Sequence, residues 1–118
     1  MRSTGTRFED LACQRLEQAG LRLVTRNFNT RWGELDLVML DGDTLVFVEV
    51  RYRAGANYGG ALASITASKR ARLVRAAGLF LARHPQYAQV PSRFDVVAFA
   101  GPAGQAQFRW LKAAFDAC

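Results

Sequence analysis

A chain of 118 residues with 16 Lys or Arg against 10 Asp or Glu, a net charge of +6, is long enough for one packed core and too short for two. Half of the residues are hydrophobic and 22% are charged, a globular balance that excludes an intrinsically disordered chain. The positive charge is almost wholly Arg, with Lys only at positions 69 and 112, and Arg suits bidentate contacts to phosphate. Nucleic acid or an anionic surface is therefore a candidate partner, although a bias of composition would give the same count. Cys13 and Cys118 form no Cys-x-x-Cys, so neither a disulfide framework nor a zinc site is indicated, and the single His84 removes most His-based chemistry. The polar start Met-Arg-Ser-Thr-Gly-Thr predicts no signal peptide, and no apolar run reaches the about eighteen residues a membrane span needs. The cytoplasm is the expected compartment.

In chain order, Phe8, Leu11, Ala12, Leu16 and Ala19 recur at helical spacing, and Gly20 stops the run at a C′ position. Thr6 with Glu9 three residues on fits a capping box at the start of this helix. Residues 21–29 carry Leu21, Leu23, Val24 and Thr25 and read as a first strand running into a turn at Asn27 and Asn29, flanked by Arg26 and Arg31. Trp32, at the entrance to the next strand, is expected to close the edge of the core, with base stacking as the alternative.

Residues 33–53 are organised around Asp41-Gly42. Asp-Gly between two apolar runs signals a tight β-hairpin, because both central residues of a type I′ turn need positive φ. A loop of Asp41 and Gly42 pairs Leu40 with Asp43, and outward from there Asp36 with Phe47 and Glu34 with Glu49. Side chains alternate with period two, so Glu34, Asp36, Glu49 and Arg51 project from one side of the sheet at its open end, with Asp36 and Glu49 as diagonal neighbours about 7 Å apart. Two carboxylates so placed repel unless a cation lies between them, and a set of oxygen ligands suits Mg²⁺ or Mn²⁺. A polar strand end in solvent is the plainer reading.

Residues 54–60, Ala-Gly-Ala-Asn-Tyr-Gly-Gly, read as a flexible loop mounted beside Arg51 and Arg53, where Tyr52 and Tyr58 could stack on a nucleotide. Its glycines follow no phosphate-loop spacing. Thr66 or Ser64 can cap a second helix reaching about Arg83, with an apolar stripe of Leu73, Ala76, Ala77, Phe80 and Leu81 and Pro85 as its stop. Its polar side, Lys69, Arg70, Arg72 and Arg75, concentrates cations near the N-terminus, where the macrodipole disfavours them, and phosphate binding is one reason to tolerate that. Phe94 to Phe99 make a buried strand parallel to residues 45–53 through a crossover. Phe108 and Trp110 alternate on an edge strand, and residues 113–118 look like a short terminal turn or helix.

Gly33-Glu34-Leu35-Asp36-Leu37 followed by Val46-Phe47-Val48-Glu49-Val50-Arg51-Tyr52-Arg53 resembles the YraN-like family, small bacterial proteins of unestablished function placed in the restriction-endonuclease-like, PD-(D/E)xK, superfamily. The resemblance runs from Gly5 and Glu9 through Asn27, Lys69 and Arg93-Phe94-Asp95 to Ala114-Phe115. It implies an α/β fold with an αβββαβ core, a mixed sheet with flanking helices, and one such domain over residues 1–118. It also implies Asp36 as the motif Asp, Glu49 as the motif acid and position 51 as the motif Lys, with Glu9 reaching the metal from the first helix and Lys69 near it. The departure is Arg51, where the superfamily pattern has Lys.

The leading expectation is a metal-dependent nuclease acting on DNA or another nucleic acid. Asp36, Glu49 and the Val50 carbonyl would hold Mg²⁺ or Mn²⁺, and Glu34 a second ion or a water. Arg51 would stabilise charge at phosphorus rather than act as a base, because a guanidinium stays protonated. Arg53, Lys69, Arg70, Arg72 and Arg75 are the candidate phosphate contacts. A non-catalytic nucleic-acid binder retaining the fold, or an interaction protein whose cluster is structural, are the competing classes. The sequence carries no signal for oligomeric state.

Overall fold

Two apolar faces on the central strands decide the architecture, since a sheet buried on both sides needs a helix over each. The computed structural model describes residues 4–55 and 58–116. Helix α1 (Thr4–Gln18) leads into strands β1 (Arg22–Thr30), β2 (Gly33–Asp41) and β3 (Thr44–Arg53). Helices α2 (Tyr58–Ala63) and α3 (Ala67–Arg83) and a short 3₁₀ turn then precede strands β4 (Ser92–Ala100) and β5 (Gln107–Phe115). The five strands form one mixed sheet in the order β1-β2-β3-β4-β5, in which only β3 and β4 run parallel. The parallel pair needs the long crossover that α2 and α3 supply.

Phe8, Ala12 and Leu16 of α1 pack on Leu37, Met39, Val46, Val48, Val97 and Phe99 on one face. Leu73, Ala76, Ala77 and Phe80 of α3 pack on Val38, Leu45, Phe47, Phe94 and Val96 on the other. The helical stripe expected for α3 is the one observed, and Thr66 is its N-cap, accepting from the Lys69 N–H at 3.2 Å.

The hairpin turn lies one residue later than Asp41-Gly42. Asp41 pairs with Thr44, so the loop is Gly42-Asp43, and of its two residues only Gly42 has positive φ, at 59°. Glycine at the first central position is the type II′ pattern, which leaves Asp43 in an ordinary conformation, whereas the I′ turn would have forced Asp41 to positive φ. The register moves by two residues, which preserves the alternation of faces over residues 37–40 and 45–48.

Other boundaries also move. Helix α1 begins before Thr6, which is therefore inside the helix rather than at its N-cap position. The expected loop over residues 54–60 passes into α2, whose Ala61 is fully buried. The chain end expected as a terminal turn is strand to Phe115, held by Phe115 stacking on Phe94 at a centroid separation of 4.8 Å. Trp32 belongs to neither hydrophobic cluster, so it does not close the core.

Candidate metal and nucleic-acid site

The site begins where the β2–β3 ladder stops. The last backbone pair is Leu37 with Val48, and the same register puts Asp36 directly opposite Glu49 rather than diagonal to it. Asp36 there replaces main chain with side chain, since the Val50 N–H donates to its Oδ2 at 2.9 Å. Face alternation breaks at this point. Leu37 belongs to the cluster under α1 and Leu35 to the cluster under α3, although residues two apart should share a face. Beside the break, β1 carries Asn27 at a φ of 53°.

Three carboxylates gather at the opening. Glu9, Glu34 and Asp36 each offer an oxygen, and all three lie within 4.8 Å of one another. The Asn27 amide donates to Glu9 Oε1 at 2.8 Å and to Glu34 Oε1 at 2.9 Å, so one side chain spaces two acids. Arg26 reaches Glu9 at 3.6 Å and Asp10 at 2.7 Å. Glu9 thus belongs to the cluster, and the capping-box reading fails because Thr6 is not at the helix end. Glu34 stays with Asp36 as expected.

Glu49 is only 5% exposed, and its Oε2 faces two cations, Arg51 Nη2 at 2.9 Å and Lys69 Nζ at 3.6 Å. The Asp36 carboxyl is pushed up to about 8, first by burial and then by the charge of Glu49, against the opposing pull of the Val50 N–H. The neighbouring Glu49 carboxyl raises it further as a hydrogen-bonding partner, which favours the protonated form of Asp36.

That proton predicts an unusual pH dependence. Between pH 3.8 and about 8 the fold keeps a proton on Asp36 that the unfolded chain has lost. Its stabilising contribution is complete below the lower value and is lost as pH rises through the upper one. The stability advantage of Asp36→Asn over wild type should therefore grow with pH by up to about 1.4 kcal/mol per unit across that window, then level off. Urea unfolding in EDTA at acid, neutral and alkaline pH measures it, and a pH-independent difference would place the proton elsewhere.

The cations of α3 do not act as one face. Lys69 turns in to Glu49, the Arg75 guanidinium lies 4.5 Å from the Trp32 ring centroid, Arg70 lines a groove with Leu111 and Lys112 of β5, and Arg72 is exposed. Arg53 folds back to donate to the Tyr52 carbonyl at 2.9 Å. Tyr52 is not free for a nucleotide, because its ring stacks on Phe8 and its hydroxyl donates to the Gly101 carbonyl at 2.9 Å. The side chain of Tyr58 lies outside the described residues.

Two residues carry more than their sequence context indicated. Asn27 spaces the acids from a position of positive φ, which Asn tolerates, whereas the sequence marked it only as a turn residue and as part of the family resemblance. Asp95 is 0% exposed and accepts from Arg93, the Trp110 indole N–H and the Ala113 N–H. An Asp inside the apolar run Phe94-Asp95-Val96-Val97 was the visible sign.

Fold and site together define an α/β protein with one five-stranded mixed sheet and a carboxylate cluster at the point where its hairpin opens. The chain belongs to the uncharacterised protein family UPF0102, whose model matches residues 8–99 and so spans the cluster from Glu9 through Lys69. It is 52% identical over 114 residues to a UPF0102 protein of Stutzerimonas stutzeri, covering 97% of this chain and 95% of that one. UPF0102 proteins of Pseudomonas entomophila (54% over 113 residues, 95% and 92% covered) and Xanthomonas campestris (55% over 111 residues, 94% and 89% covered) are similar to it as well. Among the described residues no helix is long and apolar enough to cross a membrane.

Proposed function

We propose that this chain is a metal-dependent phosphodiesterase acting on nucleic acid, DNA first, built as one restriction-endonuclease-like domain. The observation that carries the reading is the gathering of acids where the hairpin opens: Glu9, Glu34 and Asp36 offer oxygens within 4.8 Å of one another, and the hairpin register carries Asp36 next to the buried Glu49. A divalent cation would relieve the repulsion among them. The donor set is all oxygen, from Asp36, Glu49 and the Val50 carbonyl with Glu34 and Glu9 beside them, which fits Mg²⁺ or Mn²⁺ rather than a softer metal.

When bound, the ion polarises the phosphate and lowers the pKa of the attacking water. The protein groups supply the rest. Asn27 keeps Glu34 and Glu9 apart and oriented, so Glu34 can hold a water that enters beside Asp36. Arg51 and Lys69, both on Glu49 Oε2, place positive charge where the phosphate gains negative charge. The Arg51 Nε–H, buried and without an acceptor among the described residues, is a further donor.

Calorimetry with Mn²⁺ tests the site. Wild-type protein should bind weakly and, because Asp36 holds a proton near neutral pH, the heat should vary with the ionisation enthalpy of the buffer. The Asp36→Asn, Glu49→Gln double variant should give no binding heat, and equal heats for both proteins would remove the site. A second reading has its own observation. Two cations already balance Glu49, as in a fold kept for binding alone, and that reading gains if Mn²⁺ binds nowhere.

A further inference from the structure

We propose that Trp32, with Arg31 and Arg75, forms a platform on which an unpaired base of the nucleic acid stacks beside the carboxylate cluster. The platform presupposes the nucleic-acid reading of that cluster. Trp32 sits in the two-residue turn between β1 and β2, half-buried and outside both hydrophobic clusters, so core packing does not account for it. The turn is fixed: Thr30 Oγ1 accepts the Trp32 N–H at 3.0 Å and donates to the Gly33 carbonyl at 2.8 Å. Two guanidinium groups lie over the ring, Arg31 at 5.2 Å and Arg75 at 4.5 Å from its centroid. Neither makes an ion pair among the described residues, so each keeps its donors for phosphate.

Position gives the platform its meaning. Glu34 follows Trp32 by two residues, about 7 Å along an extended strand. On α3, Arg75 follows Lys69 by six residues, about 9 Å along the axis. Trp32, with Arg75 over its ring, thus stands about one nucleotide from the acids of the β2 strand. A cation over a half-exposed ring is held more weakly than a base stacked on the same ring, so a base displaces a guanidinium and the freed group takes a phosphate. In a continuous duplex the base faces cover one another. The substrate class is therefore nucleic acid with an unpaired nucleotide next to the phosphate at the cluster, as at a single-stranded end, flap or branch.

Fluorescence anisotropy in EDTA, with labelled oligothymidylate and a blunt duplex of equal length, reads binding without cleavage. Wild type should prefer the single strand. Trp32→Ala should weaken single-strand binding by about tenfold and leave the duplex unchanged, while Trp32→Phe, which keeps an aromatic face, should retain most of the affinity. The Asp36→Asn, Glu49→Gln protein should keep the single-strand preference, so failure of the metal site and failure of the platform are told apart. Trp32→Ala with unchanged single-strand affinity, an equal loss on both probes, or a wild type that ignores the single strand would each overturn the platform.

Discussion

Arg51→Lys is expected to preserve or raise metal-dependent cleavage, while Arg51→Ala and Lys69→Ala should each lower it by about 10² or more, the scale of one lost electrostatic stabiliser. Both cations address the same oxygen, Glu49 Oε2, from different elements, Arg51 from β3 and Lys69 from the first turn of α3. Groups that share a partner do not act independently, so the double Ala variant should lose less than the product of the two single losses. Lysine at position 51 keeps the charge and lacks only the guanidinium fork. Single-turnover cleavage with Mn²⁺ on single-stranded, duplex, flapped and branched DNA is the measurement. If wild type and Arg51→Lys leave every substrate intact, the nuclease reading gives way to the binding module. If Lys69→Ala alone changes nothing, Lys69 only balances Glu49.

The largest stability effect should come from the far end of β4. Asp95→Ala is expected to cost about 3–5 kcal/mol, because it strands the partners of a buried charge. The carboxylate is fully buried and accepts Arg93 Nε at 2.9 Å, Arg93 Nη2 at 3.2 Å, Trp110 Nε1 at 3.0 Å and the Ala113 N–H at 3.0 Å. Arg93 Nη2 also reaches Asp41 at 2.8 Å, tying the hairpin end to β4. Ala113 has a φ of 50° beside a register shift in the β4–β5 ladder, so its N–H points to a side chain instead of a strand partner. Removing Asp95 would leave β5 without that anchor. Urea unfolding reads the loss, and a cost under about 1 kcal/mol would mean that packing of Phe115 and Trp110 holds β5 by itself.

The sequence alone determined the elements whose signals are local. Residue periodicity marked α1, the two hairpin strands and the apolar stripe of α3, Thr66 or Ser64 marked a cap that the structure assigns to Thr66, and the parallel β3–β4 pair followed from the helix between them. The approach of Asp36 to Glu49 was legible too, because a register error of two residues leaves them neighbours across the hairpin, although the alternation of faces breaks between Leu35 and Leu37. Tertiary structure decided whatever depended on groups distant in the chain. Which residue took positive φ in the turn set the register and put Asp36 opposite Glu49. Glu9 became a member of the acid cluster because Asn27, eighteen residues on, bonds it. Trp32 lies outside the core because it falls in the turn between β1 and β2, where two guanidinium groups cover it instead. Residues 113–115 became strand because Asp95 supplies the acceptor that a bulged backbone lacks. In each case the deciding contact joins segments whose spacing in sequence carries no periodic signal, so only the packed chain shows it.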